Sequence, residues 1–100
     1  MSKKYYSDYV NHMLKLYFNC SGEKVNIPLE RNNWMIVNKV FKNFSVTEVK
    51  ILESIYRGMR EYNITEKIKQ VSDERKIKEA KIWKLLNTVS REIAKERGLI

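Results

Sequence analysis

Residues 82–100, IWKLLNTVSREIAKERGLI, have the pattern of an unbroken amphipathic helix that begins near Lys78 and ends at Gly98. Apolar side chains recur every three or four residues, which is the spacing of a helix face that packs on a core. Basic side chains recur at similar spacing on another face. The segment therefore predicts a helix that forms one wall of the core and exposes a positive stripe. The inner positions are Ile82, Leu85, Leu86, Val89 and Ile93, and the outer ones are Lys78, Lys81, Lys84, Thr88, Arg91 and Lys95.

Four more helices are predicted upstream, because apolar residues recur there at helical spacing. The third of them starts within SVTE at residues 45–48, a capping box in which the serine hydroxyl and the glutamate carboxylate each bind a free backbone N–H. Gly58 is expected near the end of that helix. Residues 72–76, SDERK, contain no apolar side chain, so a turn or the solvated side of a bend is expected there. The first helix covers residues 7–19, the second begins near residue 33, the third begins at Val46, and a short fourth covers residues 64–72.

One hundred residues are enough for a single domain with its own core. Cys20 and His12 are the only cysteine and histidine, which excludes an intramolecular disulfide and a Cys/His zinc site within one chain. The longest apolar run, WMIV at residues 34–37, is too short to span a membrane, and the first ten residues lack the apolar core of a signal peptide. We expect a single all-α domain of about five helices in the cytoplasm, in which residues 1–44 form a platform for residues 45–97.

The net charge of +8 favours polyanionic partners. The excess of basic residues is the same in both halves of the chain, so it forms no basic tail. The sequence contains no glycine-rich phosphate loop and no nucleophile elbow, and the adjacent carboxylates Asp73 and Glu74 lie among basic residues that favour local ion pairs. We therefore expect no enzymatic activity, no catalytic residues, no metal and no cofactor.

The second half of the chain resembles the helix-turn-helix of the fourth region of bacterial sigma factors. In that pattern an apolar residue at the turn is followed five positions later by the first inward residue of the recognition helix, and here Ile77 precedes Ile82 by that interval. This resemblance covers residues 44–97. The opening YYSDYVNHML and the ending SREIAKERGLI also resemble small phage-encoded regulators of the ArpU type from Gram-positive bacteria.

Three features depart from the sigma-factor pattern. The short helix of the family places its apolar residue six positions before the one at the turn, whereas Ile68 lies nine positions before Ile77, which implies an insertion of three residues. Lys69 occupies a position where the family prefers a small residue. The turn contains no glycine.

The resemblance implies a sequence-specific protein that binds double-stranded DNA and regulates transcription in a bacterial host cell, for a phage or another mobile element. The start of the last helix would enter the major groove, where Lys78, Glu79, Lys81 and Lys84 would reach base edges or phosphates. Thr88 and Arg91 would reach phosphates farther along. A lone helix-turn-helix of this size usually needs a second copy or a partner, so a homodimer is one expectation. The alternative is that the stripe only keeps the protein in solution.

A protein-binding role is the main rival function. In that case a phage-encoded inhibitor or adaptor would cover a host nucleic-acid enzyme, such as RNA polymerase or a defence nuclease of the CRISPR type. Its contact surface would include Trp83 and the tyrosines Tyr5, Tyr6 and Tyr9. Both features have simpler interpretations, since Trp83 fits packing against the first or second helix and tyrosines are ordinary at the start of a helix.

Overall fold

The computed structural model describes residues 6–20, 27–57 and 63–100. Five α-helices and no strand lie in these residues, which confirms the all-α prediction. Gly58, expected near the end of the third helix, lies outside them. The helices are α1 (Ser7–Asn19), α2 (Pro28–Phe41), α3 (Val46–Tyr56), α4 (Ile64–Arg75) and α5 (Glu79–Arg97).

Helix α2 begins at Pro28, five residues before the predicted start. Proline suits the first turn of a helix, because its fixed φ is helical and the N–H it lacks would have no intrahelical acceptor there. The first turn of α2 has few apolar residues that face the core, and Leu29 within it is 54% exposed. Apolar spacing therefore detected the helix only from the point where it becomes buried.

Helix α3 begins as its capping box predicts. The Glu48 N–H donates to Ser45 Oγ at 3.1 Å, and the Ser45 N–H donates to Glu48 Oε1 at 2.9 Å. Both hydrogen bonds lie on the protein surface. Such a cap contributes about 1 kcal/mol to helix stability.

Helix α4 continues beyond residue 72 to Arg75, so the predicted turn at residues 72–76 is mostly helix. The segment lacks apolar residues because it is the solvent-exposed last turn of α4. Polar contacts hold it: Gln70 Nε2 donates to Glu74 Oε1 at 3.2 Å, and Arg75 Nη2 donates to Ser54 Oγ on α3 at 2.8 Å. Only three residues, Lys76–Lys78, connect α4 to α5.

Lys76 ends α4 in the left-handed conformation, with φ 54° and ψ 46°. Two hydrogen bonds then join Ile77 to Ser72. The Ile77 N–H donates to the Ser72 carbonyl at 3.1 Å, and the Ser72 hydroxyl donates to the Ile77 carbonyl. Val71, six positions before Ile77, is 2% exposed, and Ile68, nine positions before Ile77, is also buried.

Helix α5 packs against the other four helices and forms the expected wall of the core. Its predicted inner residues are buried, except that Leu85 is half-buried. Ala94 is also fully buried, a contribution that its small side chain concealed in the sequence pattern. Gly98 ends the helix at φ 80°, as predicted, and the Leu99 N–H donates to the Ala94 carbonyl at 2.8 Å. Fully buried residues of α5 are Ile82, Leu86, Val89, Ile93 and Ala94.

A buried polar network attaches the end of α5 to α1 and α2. Asn33, 3% exposed, donates from Nδ2 to the Tyr9 hydroxyl at 3.0 Å and accepts from Arg97 Nε at 2.9 Å. The Arg97 guanidinium also lies over the Tyr9 ring, with Cζ 5.8 Å from the centroid. The amide nitrogen and the amide oxygen of Asn33 are thereby both hydrogen-bonded. A buried amide group without a hydrogen bond would cost about 1–3 kcal/mol in desolvation.

An aromatic cluster fills the space between α1 and α2. Tyr17 lies 5.0 Å from Trp34 and 5.1 Å from Phe41, measured between ring centroids, and its hydroxyl donates to Asn38 Oδ1 at 3.0 Å. Burial, assisted by the Glu53 carboxylate, raises the pKa of Tyr17 above its usual value. The cluster makes α1 and α2 one unit, against which α3 and α5 pack.

Replacing Lys76 by Gly should raise the free energy of unfolding by up to about 1 kcal/mol. A left-handed conformation costs a residue with a Cβ about 1–2 kcal/mol, and glycine avoids this cost. The extra conformational freedom of glycine in the unfolded chain offsets part of the gain. Urea unfolding measures the change. Lys69→Gly, at an exposed position inside α4, is the matched control and should lower stability by about 1 kcal/mol. Equal losses in both variants would contradict the left-handed turn.

Replacing Asn33 by Ala should lower the free energy of unfolding by about 1–3 kcal/mol, because Tyr9 and Arg97 would each lose a buried partner. Asn32→Ala, at the neighbouring exposed position of α2, should change it by less than about 0.5 kcal/mol. Thermal or urea unfolding of the two variants gives the comparison, and the network would have no stabilising role if the two losses were the same.

Candidate nucleic-acid interface

The turn and the start of α5 form a basic surface around a shallow depression of about 540 Å³. Four lysines line it, together with Ile77 and Ala80. We refer to these four residues as the basic surface: Lys76, Lys78, Lys81 and Lys84.

The burial of the opposite face of α5 positions these lysines. Ile82 and Leu86 are buried in the core, which fixes the rotation of the helix about its axis. With 3.6 residues per turn, Lys81 and Lys84 must then face away from the core. Lys76, whose left-handed conformation ends α4, lies beside them.

The carboxylates of the described residues do not pair with the basic surface. No carboxylate oxygen among them lies within 4.0 Å of a nitrogen of any of the four lysine side chains. Two acidic side chains have other partners, since Glu48 closes the capping box and Glu74 binds Gln70. Four exposed like charges on a short segment produce a positive potential that attracts anions.

Thr88 and Arg91 extend the basic surface along α5. Both are exposed, and they follow Lys84 by four and seven residues, so all three lie on one side of the helix. The Thr88 hydroxyl donates to the Lys84 carbonyl at 3.0 Å, and its oxygen can still accept a hydrogen bond.

Glu79 is the predicted site residue that the structure sets apart. It is exposed in the first turn of α5, but it lines neither the depression nor the adjoining groove. Helical spacing places it on the side of Ile82 and Leu86, rather than with Lys81 and Lys84. The structure therefore places four of the six predicted residues, Lys78, Lys81, Lys84 and Thr88, at the depression or the groove, and Arg91 one turn farther along the same side of α5.

A groove between α3 and α5, which the sequence did not predict, adjoins the basic surface. It has a volume of about 460 Å³, and its floor is apolar. Lys81 and Lys84 stand on the α5 side of its rim, and Thr47 and Glu48 stand on the α3 side. Sequence periodicity assigned Ile82 and Leu85 to the core, and it could not show that Leu85, like Phe44 and Ile77, is only half-buried. The complete floor is Phe44, Ile51, Ile77, Ile82 and Leu85.

The residues predicted for a partner surface lie in different surroundings. Tyr6 is 5% exposed and belongs to the core, and Tyr9 is half-buried in the network with Asn33 and Arg97. Trp83 is half-buried and packs against the core, as one of its two interpretations expected. Tyr5 lies outside the described residues. Burial therefore removes Tyr6 from an exposed contact surface, while for Tyr9 and Trp83 that role stays a prediction.

Within the described ranges, no three of the His, Cys, Asp and Glu side chains approach one another closely enough to hold a metal ion. No described helix combines the length and the apolar character that crossing a membrane requires.

No protein-family model, curated protein or solved structure matches the chain. The geometry of the basic surface and the groove is therefore the basis for any functional assignment.

Proposed function

We propose that the protein binds double-stranded DNA through the basic surface and α5, in a sequence-specific manner, and regulates transcription for a phage or another mobile element. The observation that carries this proposal is a set of four lysines, two in a three-residue turn and two at the start of the helix that follows it, which have no carboxylate partner among the described residues. A helix-turn-helix of DNA-binding proteins is joined by a turn of three or four residues, often with a glycine, and reads DNA with the start of its second helix.

The arrangement of α4 and α5 supports a helix-turn-helix unit. Their connection consists of Lys76–Lys78, and the left-handed conformation of Lys76 supplies the reversal that a glycine often provides. Val71 and Ile77 keep the six-residue interval of the sigma-factor pattern, and Ile77 and Ile82 keep the five-residue interval. Two of the three departures from that pattern thus have a structural explanation, while the exposed Lys69 has none.

The dimensions of α5 suit the major groove. Nineteen residues give a helix about 28 Å long, and a helix with its side chains is about 10–12 Å wide, close to the width of the groove. In this placement Lys81 and Lys84 would donate to guanine O6 and N7 or to phosphates, and Arg91 would contact a phosphate farther along. A second copy on the next half-site would give the affinity that one short unit lacks.

Duplex binding should weaken steeply as salt rises, because Lys76, Lys78, Lys81, Lys84 and Arg91 would each displace a counterion. Five phosphate contacts predict a slope near −4.5 in log K against log salt concentration. Lys81→Ala combined with Lys84→Ala should reduce the slope by about 1.8 and leave the helical circular dichroism signal unchanged. Fluorescence anisotropy with duplexes selected from a random pool measures both quantities.

Lys15→Ala combined with Lys39→Ala is the matched control. It removes the same charge from α1 and α2, at positions that line neither the depression nor the groove. This pair should retain most of the affinity and nearly the full slope. A salt-independent affinity, or equal losses in the two double variants, would be incompatible with binding through the basic surface.

A further inference from the structure

We propose that the groove between α3 and α5 is the docking site for an acidic amphipathic helix of a partner protein. The groove has two features that DNA binding does not use. The first is that its floor is apolar. The second is that three of the floor residues, Phe44, Ile77 and Leu85, leave part of their surface uncovered. Phosphates and sugars cannot cover such a floor favourably, since burial of apolar surface requires an apolar partner.

The rim of the groove determines the charge of the occupant. On the α5 side Lys81 and Lys84 are exposed and have no carboxylate partner among the described residues, with Lys76 and Lys78 just beyond them. On the α3 side Glu48, the one carboxylate among the described residues that line the groove, accepts the Ser45 N–H. An occupant that places carboxylates along α5 would therefore gain favourable charge pairs on that side, with a smaller repulsion from α3.

The shape of the groove determines the form of the occupant. A groove of about 460 Å³ with an apolar floor suits the anchors of a helix, whose side chains at i, i+3 or i+4, and i+7 lie on one face. Glutamates beside that face would then meet Lys81 and Lys84. A second copy of this chain fits poorly, because its net charge of +8 would bring like charge to a rim with two lysines.

The occupant would cover Lys81 and Lys84, which the proposed function assigns to DNA. Docking of the acidic helix and DNA binding would therefore exclude each other. This second part rests on the proposed function, whereas docking itself does not.

A synthetic helical peptide with leucines at i, i+3, i+4 and i+7 and glutamates at the flanking positions tests the docking. By fluorescence anisotropy it should bind the full chain at least about tenfold more tightly than two control peptides, a difference of about 1.4 kcal/mol. One control replaces the glutamates by lysines, and the other replaces the leucines by serines. Equal affinity for all three peptides, or no binding, would overturn the proposal.

Two variants of α5 locate the site. Thr88→Trp fills the groove from an exposed rim position, and should weaken peptide binding about tenfold. Asn87→Trp adds the same ring at the neighbouring exposed position, which does not line the groove, and should leave peptide binding unchanged. Both should keep the helical circular dichroism of the unaltered chain. Equal effects of the two variants would show that the peptide binds elsewhere and would overturn the proposal.

Competition separates this inference from the proposed function. If the peptide binds and displaces labelled duplex DNA, both parts of the inference stand. If the peptide binds and the chain binds no duplex, docking stands and the proposed function fails. If the duplex binds and the peptide does not, the proposed function stands and docking is wrong. Simultaneous binding of both would overturn their mutual exclusion.

Discussion

The burial of one face of α5 is the constraint on which the rest of the structure depends. Its inner side chains touch a core to which all four other helices contribute, and a fully buried Ile, Leu or Val contributes about 1.5–3 kcal/mol. These contacts fix the rotation of α5 about its axis. The lysines at i−1 and i+2 from Ile82 must then face outward, so the same packing that stabilises the core also assembles the basic surface.

Two features hold the ends of this helix. At its start, the hydrogen bonds between Ser72 and Ile77 keep the connection to α4 short and place Lys76 beside Lys78. At its end, Arg97 binds Asn33 and Tyr9, so α5 is attached to α1 and α2 by polar contacts as well as apolar ones. Arg97, the last residue of α5, is therefore important for the orientation of a surface at the other end of the helix.

The sequence predicted the helices well where their boundaries have a chemical cause. The capping box of α3, the terminal glycine of α5 and the apolar face of α5 all lie where expected. The prediction was wrong at residues 72–75, because a helix turn that faces solvent needs no apolar residue. It also missed the left-handed Lys76, since lysine has no preference for that conformation, which is held by the hydrogen bonds between Ser72 and Ile77 and by the packing of α4 against α5.

The candidate site was only partly predictable from the sequence, because part of it depends on contacts between helices. The basic surface lies on one helix and one turn, so residue spacing alone brings Lys78, Lys81 and Lys84 together. The groove is built from residues 44–51 and 77–88, which meet only in the folded chain. Half-buried residues such as Phe44 and Leu85 look identical to core residues in a sequence.

Mapping of backbone amide chemical shifts by NMR, during titration with a short DNA duplex, tests the central claim most directly. We predict that the largest changes occur in residues 76–91, in the turn and the first two-thirds of α5, while α1 and α2 change little. Changes centred on α1 or α2, or no changes at low salt, would contradict binding through the basic surface.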